Sequence, residues 1–277
     1  MNKTQIAQFQ HFINWFHDCY GRHHLPWRQD HNPYHIWVSE IMLQQTQVDR
    51  VIPKYLAFMQ QFPSVESLAA ASVAEIITAW QGLGYNRRGL NLQKGAAYLQ
   101  ATAATNFPQE TTQLLAVPGI GPYTAAAIQA FAFNQPSIII ETNIRTVFIY
   151  HFFPKRENVT DAEIFELVRA TLDGENPRKW YSALMDYGSY VKKSIPNPSR
   201  RSKTYTKQSS FVGSNRQVRG QLLKVLAPVT SLSYPELLEQ VSFLESRVKP
   251  ALQQLLKEGF IEYKADQYQL SGKKALQ

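Results

Sequence analysis

The sequence predicts a mainly α-helical protein that ends in a small α+β domain of the winged-helix type. Through residues 1–191, apolar residues recur at helical spacing, and no segment alternates with the period of a strand. Residues 214–277 instead contain three short helical patterns followed by two β-prone runs. The chain has 277 residues, of which 44% are hydrophobic and 12% aromatic, so it can bury a sizeable core. This composition excludes a globally disordered protein.

The first part of the chain is expected to be a series of helices joined by short loops. A loop rich in Pro, His and Asp occupies 23–34. Pro63 and Ser64 follow a long helix and mark the start of the next helical segment. The predicted helices span 4–20, 35–60, two short pieces within 66–83 divided near Ser72, 87–104, 109–116, 122–133, 142–153, 161–173 and 177–193.

The tail has a different pattern. Helices are expected over 216–229, 234–241 and 244–259, and a hairpin over 260–272. Gly259 should end the third helix, because glycine readily adopts the left-handed conformation of a helix C-terminus. Winged helices often bind DNA, so we expect DNA contact here. The alternative is a small domain that only packs on its neighbour or dimerises.

Positive charge is concentrated in one stretch. The chain carries 29 Lys and Arg against 21 Asp and Glu, a net charge of +8. Composition alone allows two interpretations of this stretch: a solvated linker, or a strip that neutralises nucleic-acid phosphates. The eight basic residues between positions 192 and 219, with no acidic residue among them, are Lys192, Lys193, Arg200, Arg201, Lys203, Lys207, Arg216 and Arg219.

Other classes of protein are disfavoured by what the sequence lacks. No apolar run reaches the ~18 residues that a bilayer span needs, and the first residues do not resemble a signal peptide. We therefore expect a cytoplasmic protein. Cys19 is the single cysteine, so the sequence excludes an intramolecular disulfide, a cysteine-ligated cluster and a structural zinc site built on cysteines.

The most specific local signal is LLAVPGIGPYTAAAI at 114–128. Pro118 should end one helix, and Gly119 and Gly121 permit a tight hairpin before the next. Backbone N–H groups at the start of that second helix would point outward as an anion site. This pattern is typical of a helix-hairpin-helix, which holds the DNA backbone without reading its sequence.

Two carboxylates stand out. Glu40 lies in the apolar stretch IWVSEIMLQQTQV, where burial would raise its pKa and suit it to general-acid work. On a continuous helix it would share a face with Leu43, Gln44 and Gln47. Glu141 follows the apolar run SIII and precedes a helix. The plainer alternatives are a capping or ion-paired role for Glu40 and a helix cap at Glu141.

Taken together, the motifs identify a family. The chain resembles the helix-hairpin-helix base-excision glycosylases of the endonuclease III superfamily, and within it the MutY-type adenine DNA glycosylases. The resemblance covers about residues 25–190, and SEIMLQQTQV and GLGY are typical of the MutY branch. The segments that carry it are LPWR, NPYHIWVSEIMLQQTQV, FPSVESLA, WQGLGYNRRGLNL, LLAVPGIGPYTAAAI and LMDYGSY.

The resemblance implies an activity. Such an enzyme hydrolyses the N-glycosidic bond of a flipped adenine opposite 8-oxoguanine or guanine. It assigns Glu40 as the general acid at adenine N7, and Arg28, Tyr123 and Asn143 as further active-site residues. Lyase members carry a lysine where Tyr123 stands, so we expect a monofunctional enzyme without a Schiff base.

The resemblance also implies a domain plan and a DNA surface. A glycosylase core would span 1–191, with a six-helix lobe over about 30–138 and a second lobe built from the N-terminal helix and about 139–191. A basic strap would span 192–213, and a winged-helix-like domain 214–277. Tyr85 matches the residue that wedges beside the lesion. The other expected DNA contacts are Gln44, Gln45, Arg87, Arg88, Gly119, Gly121, Lys192, Lys193, Arg200, Arg201 and Lys203.

The sequence departs from the family in three ways. Glu141 replaces the aspartate that stabilises the sugar cation, the four cluster cysteines are missing, and a winged-helix-like tail stands in place of a Nudix-like domain. We therefore expect no iron–sulfur cluster and no other cofactor, although the resemblance allows a monovalent cation at the hairpin. The expected partner is double-stranded DNA that contains a mispair or lesion. We expect the protein to bind it as a monomer at the nucleoid, with no membrane involved.

The departures leave two alternatives open. Because of Glu141, the excised base could be a mispaired thymine or uracil or a damaged purine. The chain could also be a non-catalytic lesion-binding protein. Glu40 separates these classes, since a pure binder needs no carboxylate in an apolar pocket.

Overall fold

The computed structural model describes residues 2–102 and 106–273. The helices in this part of the chain are α1 (Lys3–Tyr20), α2 (Pro33–Leu43), α3 (Val48–Gln61), α4 (Val65–Ala69), α5 (Val73–Ala79), α6 (Arg87–Ala101), α7 (Thr111–Ala116), α8 (Pro122–Phe131), α9 (Thr142–Phe152), α10 (Asp161–Thr171), α11 (Pro177–Ser194), α12 (Asn215–Leu226), α13 (Tyr234–Gln240) and α14 (Glu245–Lys257). The strands are β1 (Leu232–Ser233), β2 (Ile261–Lys264) and β3 (Gln267–Leu270). The expected mainly helical fold is confirmed.

The chain divides into two compact units. The first comprises the described residues of Met1–Glu40, Phe107–Ala116 and Ile120–Lys207. The second comprises those of Ile41–Asn106, Val117–Gly119 and Gln208–Gln277. Two non-contiguous stretches of the helical region therefore share a unit with the tail, whereas the sequence interpretation treated 214–277 as a domain of its own.

The first unit is helical and is built around α9 and α11. An Asn2–Gln5 capping box begins α1, whose apolar face packs against these two helices. Gly188 of α11 lies against the backbone of α9, because a Cβ atom there would stand only 2.3 Å from the carbonyl oxygen of Asn143. The fully buried side chains at the centre of this core include Ile13, Phe148, Trp180, Tyr181 and Leu184.

The second unit combines α3–α6 with the three tail helices and a three-stranded antiparallel sheet of order β1-β3-β2. Tyr263 pairs with Tyr268 across the predicted hairpin, and Gly259 adopts φ +76° after α14, so both expectations are confirmed. Strand β1 is only two residues long and was not predicted. Helices α12–α14 share one hydrophobic core with Ala74, Ile77 and Leu90, so the tail packs on α5 and α6.

Most predicted helices are confirmed, with one clear correction. The single helix predicted over 35–60 is wrong: α2 ends at Leu43, and α3 begins at Val48 after a turn in which Gln45 adopts φ +55°. Gln44 and Gln47 therefore do not continue the helical face of Glu40. The turn residues 44–47 include no Gly or Pro to mark a break, which is why the sequence did not reveal it.

Smaller differences concern the ends of two helices. Helix α6 ends at Ala101, and residues 103–104 of the predicted helix lie outside the described residues. Helix α11 continues to Ser194, one residue beyond the predicted helix, so Lys192 and Lys193 of the predicted strap lie on this helix. Across the described residues, none of the helices combines the length and hydropathy that crossing a bilayer requires.

Candidate active site

Glu40 lies inside α2, and its side chain is buried with 7% exposure. The hydroxyl of Tyr123 donates a 2.8 Å hydrogen bond to its Oε2 atom. Burial raises the pKa of Glu40 to about 7; the Tyr123 bond and the charge of Arg28 oppose this rise, and the charge of Glu141 adds to it. It is neither a helix cap nor in an ion pair with any described residue, so the structure removes the plainer alternatives.

Tyr123 stands at the start of α8, directly after Gly121 and Pro122. Pro122 is the first residue of the helix, where its missing N–H costs nothing. Burial, followed by the negative charges of Glu40 and Glu141, raises the pKa of Tyr123 well above its ordinary value. The phenol is therefore a neutral donor toward Glu40 at any physiological pH.

Glu141 is the N-cap of α9. Its Oε1 atom accepts backbone N–H bonds from Asn143 at 2.7 Å and Ile144 at 3.0 Å. Asp, Asn and Ser are the commoner caps, but here the longer Glu side chain reaches both donors. The helix-cap interpretation is thus confirmed, and within the described ranges Oε2 accepts one hydrogen bond, the 3.3 Å bond from the Asn143 amide. The cap therefore uses Oε1 and leaves lone pairs on Oε2.

Asn143 joins the same group of side chains. Its Nδ2 donates to Glu141, while its Oδ1 is buried without a hydrogen-bond partner among residues 2–102 and 106–273. Buried amide oxygens are usually paired, so this atom is ready to accept a bond from a ligand. The close approach of Gly188 to the Asn143 backbone holds this part of α9 against α11.

Arg28 is held by a buried carboxylate that the sequence interpretation missed. Both oxygens of Asp186 accept from Arg28, at 2.8 and 3.1 Å, and the same carboxylate accepts from Arg22 and His17. Burial would raise the pKa of Asp186, but the bonds from His17 and Arg28 and the charges of Arg28 and Arg22 outweigh it and hold the pKa well below its usual range. Asp186 lies within the LMDYGSY motif, which was the available signal.

Lys192 is half-buried near Glu141. Burial lowers the pKa of its ammonium group, the charge of Glu141 opposes this, and that of Arg22 adds to it. Lys192 follows Gly188 by one helical turn on α11, so it belongs to the face that approaches the start of α9. Its ammonium group therefore interacts with the charge of the Glu141 carboxylate, in addition to the DNA contact expected from the sequence.

The expected DNA contacts of the second unit have varied surroundings. The Arg88 guanidinium is directed inward: it donates to the carbonyl oxygens of Ile41 at 2.7 Å and Met42 at 3.1 Å, and so closes the C-terminal end of α2. Arg87 is largely exposed but pairs with Glu258 at 2.9 Å. Both side chains therefore have partners within the protein, and their contact with DNA stays a prediction.

The two hairpin glycines differ in what requires them. Gly119 adopts φ +86°, and a Cβ atom there would stand 2.9 Å from the Asn91 side chain, so conformation and space both demand glycine. Gly121 has an extended backbone, and a Cβ atom there would meet nothing within 4 Å. A bare backbone at the start of α8 is what an approaching anion needs.

The basic segment is partly built into the first unit. Arg201 donates to the backbone carbonyl oxygens of Phe153 and Arg156, and Lys203 N–H donates to the carbonyl of Val159 at 2.9 Å. The side chains of Lys193, Arg200 and Lys203 are exposed. The segment therefore carries exposed positive charge on an anchored backbone.

The residues present do not fit an iron–sulfur cluster. Such clusters need four cysteine thiolates, and the single cysteine, Cys19, is exposed at the end of α1. Within the described ranges, no group of three or more His, Cys, Asp or Glu side chains could hold a metal ion.

Comparisons with known proteins test the family resemblance. Residues 38–170 match the family model described as HhH-GPD superfamily base excision DNA repair protein. An adenine DNA glycosylase of Buchnera aphidicola is 38% identical over 192 residues, which cover 68% of this chain and 54% of the relative. An adenine DNA glycosylase of Mycolicibacterium smegmatis is 31% identical over 272 residues, or 92% of each chain. This chain thus spans about half the length of the former and nearly all of the latter.

Solved structures agree on the fold. A thermostable thymine-DNA glycosylase matches with a TM-score of 0.60 at 23% identity, covering 72% of this chain and 91% of that one. The resemblance stated from the motifs is confirmed by these comparisons.

Proposed function

The chain belongs to the HhH-GPD superfamily of base excision DNA repair proteins and, within it, groups with the adenine DNA glycosylases, and from this premise we propose that it excises a mispaired adenine from duplex DNA. The proposed reaction is hydrolysis of the N-glycosidic bond of an adenine opposite 8-oxoguanine or guanine. The observation that carries the proposal is the buried Glu40 carboxyl, 2.8 Å from the Tyr123 hydroxyl, with a pKa of about 7.

Glu40 acts as the general acid. Neutral adenine is a poor leaving group, and protonation at N7 makes it a better one. With a pKa of about 7, much of the Glu40 population holds its proton at neutral pH, and the driving force for transfer is close to optimal. After transfer, the Tyr123 bond and the charge of Arg28 stabilise the carboxylate that remains.

Glu141 stabilises the positive charge that develops on the sugar. The two backbone N–H bonds to Oε1 hold the carboxylate in one position, so no reorganisation is needed when the cation forms. Oε2, with its single long bond from Asn143, is the oxygen that faces the charge. The unpaired Oδ1 of Asn143 accepts a hydrogen bond from the substrate or from the attacking water.

The enzyme is monofunctional and needs no cofactor. Tyr123, at the position where lyase members carry a lysine, is a phenol and cannot form a Schiff base. The cysteine count supports the lack of a cluster. Double-stranded DNA is the proposed partner, bound at the nucleoid by a monomer, and the exposed Lys193, Arg200 and Lys203 contact its phosphates.

The test is base release from a panel of duplexes, each with one mispair or lesion, under single-turnover conditions with alkaline cleavage of the abasic product. We expect cleavage at adenine opposite 8-oxoguanine, and a loss of at least a hundredfold in rate for Glu40→Gln. Glu157→Gln, an exposed glutamate of the same unit, is the matched control and should retain the full rate.

Two outcomes would contradict the proposal. Release of thymine, uracil or a damaged purine in place of adenine would assign the site to another base and implicate Glu141. Tight lesion binding without release of any base would make the chain a binding protein.

A further inference from the structure

The segment directly before α12 presents two apolar side chains to solvent on a rigid turn. Phe211 is 58% exposed and Val212 is 79% exposed. We propose that this turn, residues 211–214, is a second wedge that inserts its Phe and Val side chains into the base stack of duplex DNA beside Tyr85. The inference deepens the proposed function and rests on it for the choice of duplex DNA as the partner.

The turn is held from several sides. The carbonyl oxygen of Phe211 accepts bonds from the N–H and hydroxyl of Ser214, at 3.1 and 2.7 Å. Gly213 supplies the left-handed conformation with φ +74°, its N–H donates to Gln217 at 2.7 Å, and its carbonyl accepts from Arg247 at 2.7 Å. Because the backbone is fixed, little conformational entropy remains to be lost when the two side chains insert.

Arg216 links the residues that precede this turn to Tyr85. Its Nη2 atom donates to the Ser209 carbonyl at 2.8 Å and to the Ser210 carbonyl at 3.5 Å, while Nη1 donates to the Tyr85 hydroxyl. One guanidinium therefore joins the residues that lead directly into Phe211 to the hydroxyl of Tyr85. The same guanidinium lies 5.4 Å from the centre of the Tyr85 ring.

Tyr85 is itself fixed in an unusual position. It adopts φ +48°, and Arg88 lies 5.6 Å from its ring centre. The side chain of Gln208 donates to its hydroxyl and, at 3.3 Å, to Gln45. Residues before and after the turn thus converge on Tyr85, and all these contacts lie within the second unit.

The chemistry favours a nucleic-acid occupant. The guanidinium groups of Arg216 and Arg247 bind the backbone of this turn and its approach, and no acidic residue occurs between positions 192 and 219, a charge balance that suits a phosphate backbone. Phe and other apolar side chains inserted between base steps are a recognised way to unstack and kink a duplex. An exposed Phe–Val pair on a rigid, positively flanked turn has the shape and charge for this role.

The experiment measures unstacking directly. The full-length protein is titrated against a duplex that carries 2-aminopurine, whose emission rises on unstacking, next to the nucleotide opposite the target adenine. We expect the double variant Phe211→Ser/Val212→Ser to lose more than half of the wild-type rise and to bind the duplex about tenfold more weakly, as expected for loss of one stacked aromatic. Phe211→Trp should retain the rise, because the larger ring can still stack.

The control variant changes an exposed apolar residue elsewhere in the same unit. Leu56→Ser, an exposed apolar residue of α3, should behave as wild type, and thermal melting confirms that each variant folds. Wild-type emission and affinity in the Phe211→Ser/Val212→Ser variant would overturn the inference, whatever its excision activity. Turn-dependent unstacking by a wild-type protein that releases no base would support the inference and contradict the proposed catalysis.

Discussion

The hydroxyl of Tyr123 donates a 2.8 Å hydrogen bond to the carboxyl of Glu40, and both side chains are largely removed from water. The phenol stabilises the ionised form of Glu40, whereas burial opposes it more strongly, so the carboxyl titrates near neutrality. A pair of this kind keeps an acid ready to donate and then stabilises its conjugate base.

The stability of the protein should depend on pH through Glu40. The pKa of Glu40 rises from an ordinary value of 4.5 to about 7 on folding, so the folded state holds this proton more tightly than the unfolded state. The contribution is fully present below pH 4.5 and is lost as pH rises to about 7, by about 3 kcal/mol. Glu40→Gln should therefore become more stable than wild type by that order at pH 8, measured by urea denaturation. An unchanged difference between pH 4 and pH 8 would contradict the raised pKa.

Removal of the Tyr123 hydroxyl should shift the rate profile toward alkaline pH. The hydrogen bond lowers the pKa of Glu40, so Tyr123→Phe should raise that pKa further and move the alkaline limb of the single-turnover rate upward. Tyr190→Phe, an exposed tyrosine of α11, is the control and should leave the profile unchanged. An alkaline limb that stays in place, or moves to lower pH, would argue against Glu40 as the titrating acid.

Shortening of Glu141 should slow the reaction with little effect on stability. An aspartate can still accept the N–H bonds at the start of α9, so the cap survives. The second oxygen retracts by roughly 1 Å, which can cost about a hundredfold in rate. The measurement compares single-turnover rates of Glu141→Asp and wild type on the same duplex. A faster variant would mean that the longer side chain is a handicap for this substrate.

Loss of the Asp186 carboxylate should destabilise the first unit. Asp186→Asn leaves Arg28, Arg22 and His17 around a neutral amide, which we expect to cost about 3–5 kcal/mol at pH 7. Because its pKa is depressed in the folded state, the contribution is present above the ordinary value of 3.8 and is lost as pH falls below it. The exposed pair partner Asp18 provides the control, since Asp18→Asn should cost less than about 1 kcal/mol.

Borohydride should trap no covalent complex between the enzyme and cleaved DNA. Tyr123 offers no amine. Lys192 is half-buried near Glu141, and we expect its ammonium group to interact with that carboxylate and not to attack the sugar. The readout is a shifted band in denaturing gels after reaction with substrate duplex. An adduct that disappears in Lys192→Gln, but persists in Lys193→Gln, would show that the enzyme also acts as a lyase through Lys192.

The hydrophobic core of the second unit affects how the tail can be studied. Deletion of 214–277 is the obvious test of DNA contact by the winged-helix-like part. However, α12–α14 share their core with Ala74, Ile77 and Leu90, so truncation would expose apolar surface of α5 and α6. Single substitutions on the exposed face of the tail are therefore the cleaner test.

Local patterns predicted much of this protein correctly. Helical periodicity placed most helices, Gly259 marked the end of α14, and the hairpin glycines marked the start of α8. These features depend on a few neighbouring residues and on the conformational preferences of glycine and proline. The break between α2 and α3 was missed because residues 44–47 include no Gly or Pro, and a guanidinium 47 positions away from Ile41 closes the helix end.

The amino-acid sequence alone was sufficient for the fold class, the family resemblance and the identity of Glu40, Tyr123 and Glu141 as candidates. Tertiary structure decided the surroundings of the site residues: how far Glu40 is dehydrated, which oxygen of Glu141 is used as a cap, and that Asp186 holds Arg28. The reason is physical. A pKa and a hydrogen-bond partner depend on burial and on side chains up to 169 positions apart, and local periodicity carries no information about such distances.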